Sequence, residues 1–392
     1  MKQSSKNVFY ILSLSLISFS INFYSANKGV LPIDTFLHYD TSFNILKGNI
    51  PIRDFWIVHG LTLDYFQVIF FKIFGVNWLS YIIHSSFFNV LITISTFKFF
   101  LLFNIKKLYA FFLALSFAIM AYPISGTLFL DQHAIFFCLL SYYLFFFGIK
   151  KDTRYYYFIP IFFTLAFFSK PVPSSYFIII FGLIFIYQFY TKKDFDLFKK
   201  LLWGSSFSII VLFLFIMAQK IDFDMFLTQL FYYPSSIGQD RLLALDINLK
   251  KIVSNYKFII LPLLLSFILF FYQKENKSKK EILFVFILFF LFNLFSIYHQ
   301  LLTKNQNFIF FLIPLNLGFL ILFLKNSNLK KARIINMTIL LFIFCVFTTA
   351  KYFERFIIQK KFHDFQNVNL SNTIPAEGIH ESLNPLKWKT YN

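Results

Sequence analysis

Apolar runs of roughly 15 to 28 residues recur along almost the whole of this 392-residue chain, and that recurrence leaves few folds open. A helix that crosses a hydrocarbon core needs about 20 apolar residues, or somewhat fewer where flanking side chains snorkel. By that measure the spans fall at 7–24, 76–103, 108–127, 133–149, 155–169, 171–190, 201–219, 256–273, 282–298, 307–324 and 334–350. The expectation is an all-α polytopic membrane protein with about eleven transmembrane helices. Charged residues are only 14% of the chain, against about 25% in ordinary soluble domains.

The formal net charge of +19 could suggest a nucleic-acid partner, but the basic residues come as short groups between apolar runs, with no basic domain. They read as topology signals, and no nucleic acid is expected. Cys138 and Cys345 each fall near the middle of an apolar run, which argues against a disulfide or metal framework. The basic N-terminus followed by a long apolar stretch reads as an uncleaved first span, because a cut after Ala26 would put bulky Tyr24 where a small residue is needed.

Alternate loops collect Lys and Arg, as the positive-inside rule requires. The N-terminus, Lys106 and Lys107, 150–154, 192–200, 274–280 and 325–333 hold 19 of the 37 basic residues and are assigned to the cytoplasm. The C-terminus is then outside, in a plasma membrane of bacterial type. That parity decides the segment 61–75, which at about 1.5 Å per residue is too short for a core of about 30 Å and would invert every later loop if it crossed. It is expected to lie along the outer boundary as a helix.

Residues 25–75 therefore form one long outer loop, with helices at about 35–47 and 61–74 joined by the turn GNIPIRDFW. A second large outer loop covers 220–254, and the membrane domain, 1–350, is followed by a short outer tail, 351–392. No inverted repeat is evident. Ionisable groups within spans are few, and His84 reads as a packed polar residue. The chemistry belongs on the outer face, in a cavity roofed by the two large loops.

Among the outer acids, Asp34 can cap a helix or carry chemistry. Asp40, six residues on, lies about 120° around a helix from Asp34, whereas His38 at i+4 shares its face. Arg53 and Asp54 read as a local pair holding the turn.

These residues resemble the first outer loop of the C-type glycosyltransferases, polytopic enzymes that take sugars from polyprenyl-phosphate carriers and that include protein O-mannosyltransferases and lipid A aminoarabinose transferases. The family pattern is an acid, a helix, Gly-x-x-Pro-Tyr-Arg-Asp-Phe-Trp, His-Gly-Pro-Leu, then an apolar helix ending Phe-Gly. Here it stands as Asp34, Gly48, Pro51, Ile52, Arg53, Asp54, Phe55, Trp56, His59, Gly60, Leu61 and Phe74-Gly75. LDQHAIFFCLLSYYLFFFGIKK, LAFFSKPVPSSYF and HQLLTKNQNFIFFLIPL are similar to later outer segments of the family. The chain departs from the pattern at Thr35, where Glu often stands, at Ile52 for Tyr, and at Thr62 for Pro.

The resemblance implies a glycosyltransferase with Asp34 as catalytic base, accepting the proton of an acceptor hydroxyl as it attacks the anomeric carbon. Asp40 is a possible second carboxylate, and His38 supports them. Asp131 and His133 are candidates to orient the acceptor, while Lys170, Arg241 and Lys304 are candidates for the donor phosphate. Arg53, Asp54 and His59 hold the loop. No metal ligand is assigned, and use of a divalent metal stays open, since a lone carboxylate makes a poor divalent site. The partners implied are a polyprenyl-phosphate sugar, a lipid-linked or cell-surface glycan acceptor, and membrane lipids. The rival readings are a transporter or flippase of lipid-linked sugars, a polysaccharide polymerase or ligase, and a structural membrane subunit.

Overall fold

A computed structural model describes residues 2–27, 32–57, 59–273, 277–304, 309–358, 373–375 and 389–391, without side chains at 2–7, 32–34, 192, 277–282 and in the last two segments. Of the described residues, 83% are helical. Its helices are α1 (Lys2–Ala26), α2 (Pro32–Leu46), α3 (Thr62–Phe74), α4 (Trp78–Leu102), α5 (Lys107–Met120) and α6 (Leu130–Lys150), followed by α7 (Phe158–Phe167), α8 (Pro171–Lys192) and α9 (Phe195–Ala218). Two short helices, α10 (Phe223–Leu227) and α11 (Tyr233–Leu243), flank a π turn, and α12 (Leu249–Phe270), α13 (Lys277–Thr303), α14 (Leu312–Lys325) and α15 (Lys331–Phe353) complete the bundle. In the tail, Thr373–Pro375 pairs antiparallel with Lys389–Tyr391.

Nine helices among the described residues are long and apolar enough to cross a membrane, which is consistent with an integral membrane protein. The spans expected at 155–169 and 307–324 are shorter than expected, with α7 at 10 residues and α14 at 14. At α7 the cause is a 3-10 segment, Thr153–Tyr157, that takes up the start of the run, with Asp152 capping it through the Arg154 N–H. At α14, turns at Ile309 and Phe310 delay the helix to Leu312. Lipid thickness does not constrain α14, because every residue from Leu312 to Leu324 is buried in protein. Beside it the Asn293 and Asn316 side-chain amides bond reciprocally, at 3.0 and 2.8 Å, and the Asn316 amide also donates to Ile259 O at 3.3 Å.

Large aromatics fill the interior. Phe99 stacks on Tyr143 at 4.3 Å, Phe177 on Phe292 at 4.3 Å, and Phe310 on Tyr352 at 4.1 Å. Outer faces of the bundle are as apolar as the core, with Ile210, Phe213 and Leu214 of α9 all more than half exposed, as expected where lipid replaces water. Both cysteines are buried and free, as expected.

The inter-helix segments gather at two ends. At one end, Lys325 Nζ donates to Asn104 O at 3.0 Å, Asn328 N to Tyr272 O at 2.8 Å, and Lys200 bonds Thr153. At the other, residues 22–75 meet 121–131, 168–170 and 219–230. Asn22 donates to Gly126 O at 3.1 Å, and Arg53 to Gln219 O at 3.0 Å. The candidate site is built at this second end.

Candidate functional site at the loop end of the bundle

The two expected loop helices are present as α2 and α3, packed on each other, and α3 also packs on α4. Helix α3 buries Leu63, Val68 and Phe71 together with polar side chains, and exposes apolar ones beside Lys72. Thr62, Asp64 and Gln67 are buried, while Ile69, Ile73 and Phe74 are exposed. Exposed apolar side chains such as these suit contact with lipid.

Between α2 and α3 the turn is knit by charge. Arg53 forks onto Asp54, Nε to Oδ1 and Nη2 to Oδ2, both at 2.8 Å, and Asp54 Oδ2 accepts from Ile50 N at 2.7 Å. The Arg53 guanidinium, ahead of the Ile50 N–H, holds the Asp54 carboxyl down to about 2. Gln229, buried in the π turn, ties the loops together by accepting from Ile57 N at 3.1 Å and donating to Ile52 O at 3.2 Å. A π turn often serves to re-aim one side chain, and here it delivers Gln229. The segments expected as the first and fourth outer loops are thus bonded to each other, and Arg53 and Asp54 form a local pair within the turn.

Beyond the turn, the first loop lies directly on the connection between α7 and α8. Gly60 N donates to Ser169 O at 3.3 Å and Thr62 N to Phe168 O at 2.8 Å. A Cβ at Gly60 would sit 2.0 Å from Phe168 O, so only glycine allows this approach. Lys170 follows at once, and its Nζ reaches Asp131 Oδ2 at 2.7 Å, while His299 bonds the other Asp131 oxygen. Asp131 and His299 are buried and Lys170 is partly accessible, so the ammonium has donors left for an anion. Arg241, exposed in the last turn of α11, is within electrostatic reach of His299, and Lys304 is exposed just past α13.

A second buried cluster joins α2 to α3. His38 Nδ1 is 3.0 Å from Asp64 Oδ1 and His59 Nε2 is 2.6 Å from Asp64 Oδ2. Burial pushes the Asp64 carboxyl upward, but the His59 and His38 imidazoles outweigh it and hold the group below the usual carboxylate range. Next to this lies His84, with Nδ1 3.0 Å from Gln67 Oε1, and its ring is 5.4 Å from that of His133, which bonds the Tyr122 hydroxyl. His84 is the packed polar residue expected.

The sequence candidates therefore separate. Asp131, Lys170 and, through Asp131, His299 come together. His38 and His59 come together on Asp64, so His59 does more than hold a turn. His133 faces His84 and Tyr122. Asp40 is exposed, its carboxylate 3.3 Å from the Asn44 amide, because the buried face of α2 carries Thr35, His38, Tyr39 and Ser42 and Asp40 lies off that face. The Asp34 side chain lies outside the described residues. The helix begins at Pro32, so Asp34 stands in its first turn, not at the N-cap.

Asp64, Gln67, Gln229 and His299 were not singled out in the sequence. Asp64 carried a signal, as an acid five residues after His59 at the start of an otherwise apolar helix. Together these features define a polytopic, all-helical membrane protein with buried charge gathered at one end. No protein-family model, curated protein or solved structure matches the chain.

Proposed function

We propose that this protein is a membrane glycosyltransferase of the C type, moving a sugar from a polyprenyl-phosphate carrier to a lipid-linked or cell-surface glycan acceptor. In this reading the chain makes eleven crossings, with α7 and α14 as the short ones, and the loop end faces outward from a bacterial plasma membrane. The observation that carries it is the junction at Phe168–Lys170. An apolar groove of about 590 Å³ between α7, α8 and α9 is lined by Phe163, Phe167, Phe231 and Phe168, the last of these two residues before Lys170 in the chain. A polyprenyl chain fits the groove, and its phosphate then meets a cation already oriented by Asp131.

The acceptor oxygen attacks the anomeric carbon, the bond from that carbon to the phosphate oxygen breaks, and the acceptor proton passes to Asp34. The leaving phosphate gains charge as the bond breaks, so Lys170, assisted by Arg241 or Lys304, stabilises the transition state more than the ground state. Purified protein given a radiolabelled polyprenyl-phosphate sugar and a lipid acceptor should form the glycosylated product. Asp34→Asn should lose nearly all of that activity, and Lys170→Met most of it. Full activity in Asp34→Asn would remove the base.

Transport of a lipid-linked sugar is the second reading, supported by the buried His84, His133, Asp131 and His299 within helices. Movement of intact donor across liposomes with no bond broken would favour it.

A further inference from the structure

We propose that His38, His59 and Asp64 form a binding site for a divalent transition-metal ion of the zinc class, which fastens the first outer loop into one body. This site is separate from the sugar-transfer reading and does not depend on it.

Two stretches of chain deliver the donors, one carrying His38 and the other, 26 residues on, carrying Asp64 with His59 five residues before it. His38 comes from the second turn of α2, His59 from the segment after the GNIPIRDFW turn, and Asp64 from the first turn of α3. One donor atom from each lies within 4.8 Å of the others, and the three side chains are 0–1% exposed. The two carboxylate oxygens are already divided between the imidazoles, Oδ1 toward His38 and Oδ2 toward His59. Two imidazole nitrogens and one carboxylate oxygen make three donors that can face one ion.

The donor chemistry selects the ion. Imidazole nitrogen with a single carboxylate suits zinc, cobalt or iron(II), whereas calcium and magnesium require mostly oxygen. Zinc binds nitrogen and oxygen at about 2.0–2.2 Å, so neighbouring ligands in a tetrahedron lie about 3.4 Å apart. Contraction of the widest pair, at most 4.8 Å apart, by up to about 1.4 Å would bring the three donors onto a tetrahedron whose fourth position stays open.

Charge points the same way. Among the described residues no lysine or arginine bridges Asp64, whose buried carboxylate faces the two imidazoles, so a bound dication would supply its countercharge. The bland alternative is a buried hydrogen-bond network in which a protonated imidazole supplies that charge. The two differ in whether metal co-purifies.

The chain is purified in detergent with a tag free of histidine, and its metal content is measured by plasma mass spectrometry. The parent should carry about one equivalent of transition metal per chain, as should His84→Gln, altered in the neighbouring cluster. Asp64→Asn and His59→Ala should carry at least tenfold less. Parent protein treated with chelator should lose heat stability and regain it with micromolar zinc but not with millimolar magnesium. That titration needs no variant, so it stands even if the substitutions fail to fold. Cobalt in place of zinc should give visible d–d absorption bands that Asp64→Asn lacks. A metal-free parent whose heat stability zinc leaves unchanged would overturn the site, as would equal metal content in the parent and in folded Asp64→Asn.

Discussion

Gly60→Ala is the sharpest test of how the first loop is seated. The added Cβ would meet Phe168 O at 2.0 Å, Phe168 C at 2.3 Å and Ser169 O at 2.9 Å. Ordinary carbon contacts lie at about 3.5–4.0 Å, so the two backbones must part by about 1.5 Å, and no flexible side chain can absorb that. The overpacking costs about 1–3 kcal/mol. Separation also breaks the bonds from Gly60 N to Ser169 O and from Thr62 N to Phe168 O, each contributing about 1 kcal/mol. The sum, about 3–5 kcal/mol, corresponds to a fall in Tm of roughly 5 to 10 °C. Gly182→Ala is the control, since a Cβ there meets nothing within 4 Å, and helix propensity alone should leave it as stable as the parent or slightly better. The assay is thermal unfolding in detergent, followed by tryptophan fluorescence and by the folded fraction on size exclusion. A Gly60→Ala protein as heat-stable as the parent would refute the docking of the loop on the 168–170 turn.

Three further outcomes follow from the same end of the molecule. Asp54 is held down to about 2 by Arg53, so its contribution is complete above the ordinary carboxylate value of about 3.9 and is lost as pH falls toward 2. Trp56 fluorescence should report that loosening between about pH 4 and 2, and Asp54→Asn should show the loosened signal already at neutral pH. Gln229→Leu removes both bonds to the first loop and leaves Ile57 N and Ile52 O buried without partners, a loss of about 2–4 kcal/mol seen as a lower Tm and as faster amide exchange over 50–57. Asp40→Asn, at an exposed site, should stay within about 0.5 kcal/mol of the parent and keep the transfer activity proposed here.

The helices of the first loop were legible because a 13-residue apolar helix that cannot span a membrane has few other places to lie. The local pair Arg53–Asp54 was legible because neighbours in a turn find each other without tertiary help. Asp131 and Lys170 were legible as members of outer turns but not as a pair, since 39 residues separate them and only the docking of α8 beside α6 closes the distance. His299 and Asp64 were harder. Each is a polar residue near the end of an apolar run, where a snorkelling side chain and a buried ligand look alike in sequence. Asp40 is exposed and off the buried face of α2, and the 120° between it and Asp34 on a helix was legible in the sequence.

The reciprocal amide pair of Asn293 and Asn316 bears on how a chain with 64 Phe finds a single arrangement. One phenylalanine surface sliding by a helical turn over another meets much the same surface again, so apolar contact discriminates poorly between registers. An amide that must find a complementary amide at one height discriminates sharply, because every wrong register strands both groups in hydrocarbon. In this protein the aromatic mass supplies cohesion, while a few asparagines and glutamines carry the address. A search for variants that misassemble without losing hydrophobicity should begin at those amides.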